Sequence, residues 1–558
     1  MSTAVQSQRL FVPPFPPRSE KPRGALSTIL ALRRNPLEIW GKAAFEQLFW
    51  VGRSPFGMRA MAHDPAAVRH VLLDNAANYR KDELQLKILS PGLGDGLLTA
   101  EGESWRAQRR ALAPLFSPRE VAGFAGAMQT VAARAVARLR SRRDGAVTDV
   151  GDLMSRVALE VLEETLFSQG LGRKPGEFQA AITRYFDTFG RVDPLDLLGA
   201  PDFVPRIARW RGRTSLKFYD EAVEAIIGSR RAIIEAGGEP PRDVLTLLLA
   251  ARDPDTGRGL PEASIRANIV TFINAGHETT ANALTWTLYL LSQAPDWRAR
   301  AEAEADAAFD PARPASLEGC LVLRAVLEEA MRLYPPVALL TREAIADDVM
   351  LGVPVPARTI VLISPYVLHR HRRLWEAPDA FDPSRFLGQR RERIDRFAYI
   401  PVWGEPARVQ RDVLRDARGG DRSREFFAGV PVRAGRRTDC GAAPAGDGSP
   451  AKWAQNARPA ALFRPLVWPA AATSAALPLA GEDPVQGVEN LAYVTSHLSA
   501  VCKGSFFEVA ISSQNATPKV HTAIEEPFCN VTSIVGMVFV SLTAFASASE
   551  SVDVALTS

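Results

Sequence analysis

The sequence predicts a mostly α fold with a small β part over residues 11–401, followed by a tail of different character. Three observations predict it. Across residues 263–292 apolar side chains recur at helical spacing (Ile265, Ile269, Val270, Phe272, Ile273, Ala281, Leu284, Leu288) with no proline, which is about eight turns and enough to cross a whole domain. Several amphipathic helical patterns precede this one, and two short strand-like runs follow it. Beyond Pro401 the periodicity fades.

The chain begins with an extended, polyproline-like stretch, Phe11-Val12-Pro13-Pro14-Phe15-Pro16-Pro17-Arg18, and shows no basic-then-apolar leader pattern. From about Leu37 to Arg342 helices dominate, with predicted spans at 65–74, 103–113, 122–140, 153–167, 176–189 and 218–235. Asp253-Pro254-Asp255-Thr256-Gly257 marks a turn just before the long helix. A helix carrying Glu329 and Arg332 is stopped by Pro335-Pro336. Strands are predicted at 349–355 and 359–363, separated by a turn at Pro356-Ala357. No internal repeat is visible.

Composition excludes more than it assigns. The chain has 558 residues, enough for a large core, and its net charge of +4 is too slight to call for nucleic acid or an anionic membrane. Cys320, Cys440, Cys502 and Cys529 are far apart, with neither metal-type pairs nor a disulfide framework, which suits a reducing cytoplasm. The longest apolar stretch, 531–546, is interrupted by serines and threonines and falls short of the roughly twenty residues a membrane span needs. The protein therefore reads as soluble and cytoplasmic. Residues 408–437 are crowded with arginine, aspartate and glycine, and 442–472 with alanine, glycine and proline, a composition that predicts a largely disordered tail over 402–558.

The most informative stretch is Ala275-Gly276-His277-Glu278-Thr279-Thr280, which sets a glycine, an acid and two hydroxyls inside the long apolar helix. An interior glycine costs roughly 1 kcal/mol relative to alanine. Thr279 can bend the helix by bonding back to the carbonyl of Ala275. A groove lined by an acid and a hydroxyl suits proton delivery, although an ordinary buried helix with satisfied polar groups gives the same pattern. Glu329-Ala330-Met331-Arg332 pairs an acid and a base one turn apart among apolar neighbours, a buried pair in need of a further partner. Phe381-Asp382-Pro383-Ser384-Arg385-Phe386 offers that arginine. Trp105 and Arg109, at i and i+4, can both donate to one carboxylate, or can lie on a solvated basic face.

In this order the four elements resemble the cytochrome P450 haem-thiolate monooxygenases, and the resemblance covers residues 11–401. It implies that fold, and haem b as cofactor. It also implies a small apolar organic substrate, and NAD(P)H electrons arriving through a ferredoxin or similar external partner. Trp105, Arg109 and Arg342, with His369, would then hold haem propionates, Ala275 and Gly276 would lie against the cofactor, and Glu278 and Thr279 would relay protons during dioxygen activation. Glu329, Arg332 and Arg385 would form a fold-locking triad, and region 79–98 would be the variable substrate-contacting loop. No reductase is fused, because the tail carries neither a GxGxxG fingerprint nor clustered cysteines.

The resemblance breaks where its defining cysteine should stand. After Phe397-Ala398-Tyr399-Ile400-Pro401 the chain reads Val402-Trp403-Gly404-Glu405-Pro406-Ala407-Arg408-Val409-Gln410, without a cysteine and hence without a metal ligand. Loss of the thiolate removes the main driver of O–O cleavage. Codons for these residues, with the first base dropped, can be read Phe-Gly-Ala-Ser-Pro-Arg-Val-Cys, which puts phenylalanine, arginine and cysteine at the family's spacing, with serine or asparagine in place of its second glycine. A frameshift after Pro401 also accounts for the abrupt change in composition. Cys502 in Val501-Cys502-Lys503-Gly504 lacks the upstream glycine and arginine, and Cys320 reads as a small core residue. The leading reading is a haem-dependent monooxygenase. The competing ones are a catalytically dead homologue that keeps the binding pocket, and an all-α scaffold, which the costly Gly276 and the buried-type Glu329 and Arg332 disfavour.

Overall fold

The computed structural model describes residues 10–142, 148–168, 207–308 and 319–401. The expected helix at 176–189 and the tail at 402–558 lie outside them. The helices are α1 (Ala25–Arg34), α2 (Pro65–Arg69), α3 (Glu83–Leu93), α4 (Gly102–Leu112), α5 (Pro118–Gly123), α6 (Ala125–Arg140), α7 (Val150–Leu162), α8 (Ile207–Glu235), α9 (Val244–Ala250), α10 (Glu262–Ser292), α11 (Pro295–Ala308), α12 (Leu321–Leu333), α13 (Pro365–Leu368) and α14 (Gly388–Glu392). None of them is long and apolar enough to cross a membrane.

Local chemistry sets the helix ends. Asp64 caps α2 by accepting the Ala66 N–H, with Pro65 at the first helical position, and Asp149 caps α7 by accepting from Asp152 N. The predicted helix 65–74 is regular only to Arg69 and then widens into a π turn over His70–Asp74. Span 153–167 does the same after Leu162, through Glu163–Phe167. The long helix α10 packs most closely against α7 and also meets α12, so it runs through the main apolar core with residues of α6, α7, α9 and α12 around it. Near its end the Trp286 ring stacks on Tyr334, with centroids 3.8 Å apart.

The β part is larger than the sequence suggests. A five-stranded sheet has the order β1-β2-β7-β4-β3, with β1 (Phe49–Ser54), β2 (Gly57–Ala62), β3 (Tyr79–Lys81), β4 (Leu340–Ala344) and β7 (Ile360–Ile363). Only the β2–β7 pairing is parallel. The run 349–355, predicted as one strand, is a hairpin of β5 (Asp348–Met350) and β6 (Val353–Val355) turning at Leu351-Gly352. Region 79–98, expected as a loop, is mostly β3 and α3. Asp82 caps α3, and Ile88, Leu89 and Leu93 bury its inner face. The N-terminal stretch is stitched onto residues more than three hundred positions later: Phe381 N donates to Phe11 O, Tyr334 Oη to Pro14 O, and Arg18 pairs with Asp379.

Candidate active site

The middle of α10 is where burial changes. His277, Glu278 and Thr280 are buried, whereas Ala275 is exposed and Gly276 and Thr279 are half-buried, so an opening lies against one side of an otherwise enclosed helix. Thr279 Oγ1 donates to the Ala275 carbonyl, the back-bond that draws the hydroxyl along the helix and weakens the regular ladder. Gly276 has a reason other than opening a groove. A Cβ there would sit 2.8 Å from Leu162 Cδ2, so the missing side chain lets α7 approach. His277 strengthens the same contact, with Nε2 2.9 Å from Ser155 Oγ on α7.

A chain of contacts joins the segments that carry the predicted cations. Arg342 on β4 stands opposite Lys81 on β3. Lys81 is buried, donates its ammonium to Ala100 O, and gives its backbone N–H to Glu101 Oε1. Burial first, and then the Arg342 charge, bring its pKa down to about 8. Glu101 leads into α4, where the Arg109 guanidinium lies 5.8 Å from the Trp105 ring centroid. Sequence reasoning missed Lys81. The available signal was its place two residues after Tyr79, on the inward face of a short strand.

Around α12, three predicted side chains meet. Glu329 receives two hydrogen bonds from Arg332, Nε to Oε2 at 2.6 Å and Nη2 to Oε1 at 2.8 Å, and a third from Asp382 N at 2.8 Å. Arg385 Nε lies 3.5 Å from Glu329 Oε1, and its Nη2 donates to Ala377 O. Arg332 spends its remaining donors on the carbonyls of His369, Pro378 and Ala380. Both Glu329 and Arg332 are 0 % exposed, so this is a buried charge cluster rather than a surface pair.

His369 is bound into that cluster. Its Nε2 accepts the Ile400 N–H at 2.9 Å, which requires the ring proton on Nδ1. Burial, reinforced by Arg332 and Arg370, holds the ring neutral, well below the usual histidine range. Tyr399, packed against His369 and bonded through Oη to Glu328 O, fixes the segment leading to Pro401.

A macrocycle with an anionic edge needs cations and N–H donors along one side, an open apolar wall, and an axial ligand. Lys81, Trp105, Arg109 and Arg342 fit the first need, and Ala275 with Thr279 the second. The third is not supplied by the described residues. Their one cysteine, Cys320, is buried just before α12, and burial raises its thiol pKa.

Comparison with known proteins gives a matching result. The family model described as "Cytochrome P450" matches residues 45–401. The chain is 31 % identical over 392 residues to cyclooctat-9-en-7-ol 5-monooxygenase of Streptomyces melanosporofaciens, covering 70 % of this chain and 83 % of that one. It is 29 % identical over 412 residues to the chloroplastic cytochrome P450 97B2 of Glycine max, covering 64 % of this chain and 71 % of the relative. It is also 29 % identical over 378 residues to human cytochrome P450 4V2, covering 64 % and 71 %.

Proposed function

Because this chain belongs to the cytochrome P450 family, whose members use haem b and electrons drawn from NAD(P)H through redox partners, we propose that it is built to insert one atom of dioxygen into a small apolar organic substrate. The observations that support this reading are the opening at Ala275 and Thr279 on a buried helix and, on segments joined through Glu101, the cations of Lys81, Arg109 and Arg342. Haem supplies dioxygen binding and activation when bound. Trp105, Arg109, Arg342 and Lys81 would hold its propionates, with His369 as a further contact. Glu278 and Thr279 hold and pass protons at their carboxylate and hydroxyl oxygens, one residue apart on the helix. The Glu329, Arg332 and Arg385 cluster keeps the segment that ends at Pro401 in place. A separate electron donor of the ferredoxin type serves the reaction.

A second reading has its own support: residues 402–410 contain no cysteine, so the chain as it stands is a poor or inactive catalyst that retains the pocket. We attribute this to a shift of reading frame after Pro401. Absorbance of the purified protein separates the possibilities, since thiolate-ligated haem, differently ligated haem and haem-free protein differ. Deleting one base just after the Pro401 codon is expected to restore the family's thiolate spectrum with carbon monoxide. The frame reading is wrong if the resequenced gene encodes Val402 to Gln410 and the purified protein already shows that spectrum.

A further inference from the structure

The π turn at the end of α2 is closed by Asn75 N donating to His70 O at 2.9 Å, an i to i+5 bond that brings residues five apart toward one side. Both side chains then reach the same oxygen of Asp348, the first residue of β5. His70 Nε2 lies 2.8 Å from Oδ2, and Asn75 Nδ2 3.1 Å from it. Tyr79 Oη, at the start of β3, makes a third contact with that oxygen at 2.6 Å, while Oδ1 takes the Val349 N–H at 2.8 Å. Burial opposes the charge on Asp348, but Tyr79 and His70 outweigh it and hold the carboxyl below its usual range. An ionised carboxylate only accepts, so the His70 proton sits on Nε2 and all three side chains donate. One oxygen thereby joins the π turn, the edge strand β3 and the β5–β6 hairpin.

β3 is an edge strand of three residues, too short to fix its own register. Its alternation gives that register a chemical meaning, since Tyr79 and Lys81 are buried and Arg80 between them is exposed. A slip of one residue would turn Arg80 inward and expel the Lys81 ammonium. Asn78 supports the same placement, its Oδ1 accepting from Ala346 N at 2.9 Å and its Nδ2 donating to Ala346 O at 3.2 Å. Lys81 itself faces Arg342 of β4, with Glu101 and Asp95 as the acids that oppose that charge. We infer that Asp348 is a positioning residue, which by gathering His70, Asn75 and Tyr79 sets the register of β3 and keeps the Lys81 ammonium buried beside Arg342, in place for the anionic edge of the cofactor. The cofactor contact rests on the propionate reading given above, and the register does not.

The test uses the full chain. Acetic anhydride labels Lys81 only as the free amine, so the pH of half-maximal labelling rate reads its ionisation, and that midpoint should lie at about 8 in the unaltered chain. Asp348→Ala leaves three donors without their acceptor. As the freed ammonium regains water, the midpoint should rise by about one unit toward the ordinary lysine value, and hydrogen exchange of residues 79–81 should speed about tenfold while α7 and α10 exchange as before. Tyr79→Phe, a milder change that leaves the hairpin intact, should move both readings the same way by less, and added to Asp348→Ala it should change nothing further. A midpoint and an exchange rate left unmoved by Tyr79→Phe and Asp348→Ala overturn the positioning role. Titration with haemin and with its dimethyl ester, followed by absorbance, reads the cofactor contact. The unaltered chain should prefer the free acid, and Asp348→Ala should cut that preference about tenfold. An uncut preference beside a shifted midpoint overturns the cofactor contact. If the unaltered chain shows no preference, the propionate reading falls, while the labelling still decides the register.

Discussion

Thr279 shows how a single side chain ties helix geometry to chemistry. Its hydroxyl is engaged by the Ala275 carbonyl one turn back, at the point where the helix surface becomes open. Thr279→Ala in a frame-restored protein should uncouple the reaction, raising the peroxide released per reducing equivalent consumed. An unchanged ratio removes Thr279 from proton delivery. Arg332 invites a stability test instead. Replacing it by alanine leaves Glu329 without its two strongest donors and should cost on the order of 3–5 kcal/mol, read as a lowered thermal midpoint. The spacing of Glu329 and Arg332 was legible because a buried acid and base one turn apart need each other. Two residues were not. Lys81 reads as one more surface lysine until β3 is known to pair with β4, and Gly276 reads as a groove until Leu162 is seen against it.

At the level of elements, long amphipathic patterns were readable and short strands were not. The period of α10 emerges over 31 residues, whereas β3 and β5 have three each and owe their form to partners distant in sequence. The hairpin β5–β6 is the instructive miss. Met350 pairs with Val353 across a two-residue turn, which needs positive φ at both Leu351 (+51°) and Gly352 (+78°). Leucine is an unusual choice there, so Gly352 alone announced a turn. It also carries strain: Leu351→Asn should stabilise the protein by about 0.5–1 kcal/mol, seen as a raised midpoint in denaturant with an unchanged slope. A lowered midpoint would show that Leu351 makes contacts outweighing that strain.

Across the whole molecule, buried histidines set the response to acid. His63 is held down to about 3 by burial and then by His371, and His369 is lowered by burial, Arg332 and Arg370. Unfolded histidine binds its proton near pH 6.5, so the stability these two contribute is complete above that pH and is lost as pH falls below it, for His63 down to about 3. Each contributes a slope of up to about 1.4 kcal/mol per pH unit. Glu163 opposes them. Burial and its acidic neighbours raise it to about 7, so its contribution grows as pH falls from there, though partial exposure weakens it. The net expectation is a thermal midpoint that drops between pH 7 and pH 5, less steeply in His63→Gln. A flat profile would mean that the buried rings gain protons without cost.

The attachment of the N-terminal stretch has a consequence for the order in which the chain assembles. Pro14 waits for Tyr334, Phe11 for Phe381, and Arg18 for Asp379, so a nascent chain must be synthesised almost to Pro401 before these contacts can form. Contacts so distant in sequence close slowly, and until they do Phe11 and the face it covers remain exposed to chaperones and to neighbouring chains. Each of these partners is encoded before codon 402. A change of frame at that codon therefore arrives too late to prevent the clasp from closing.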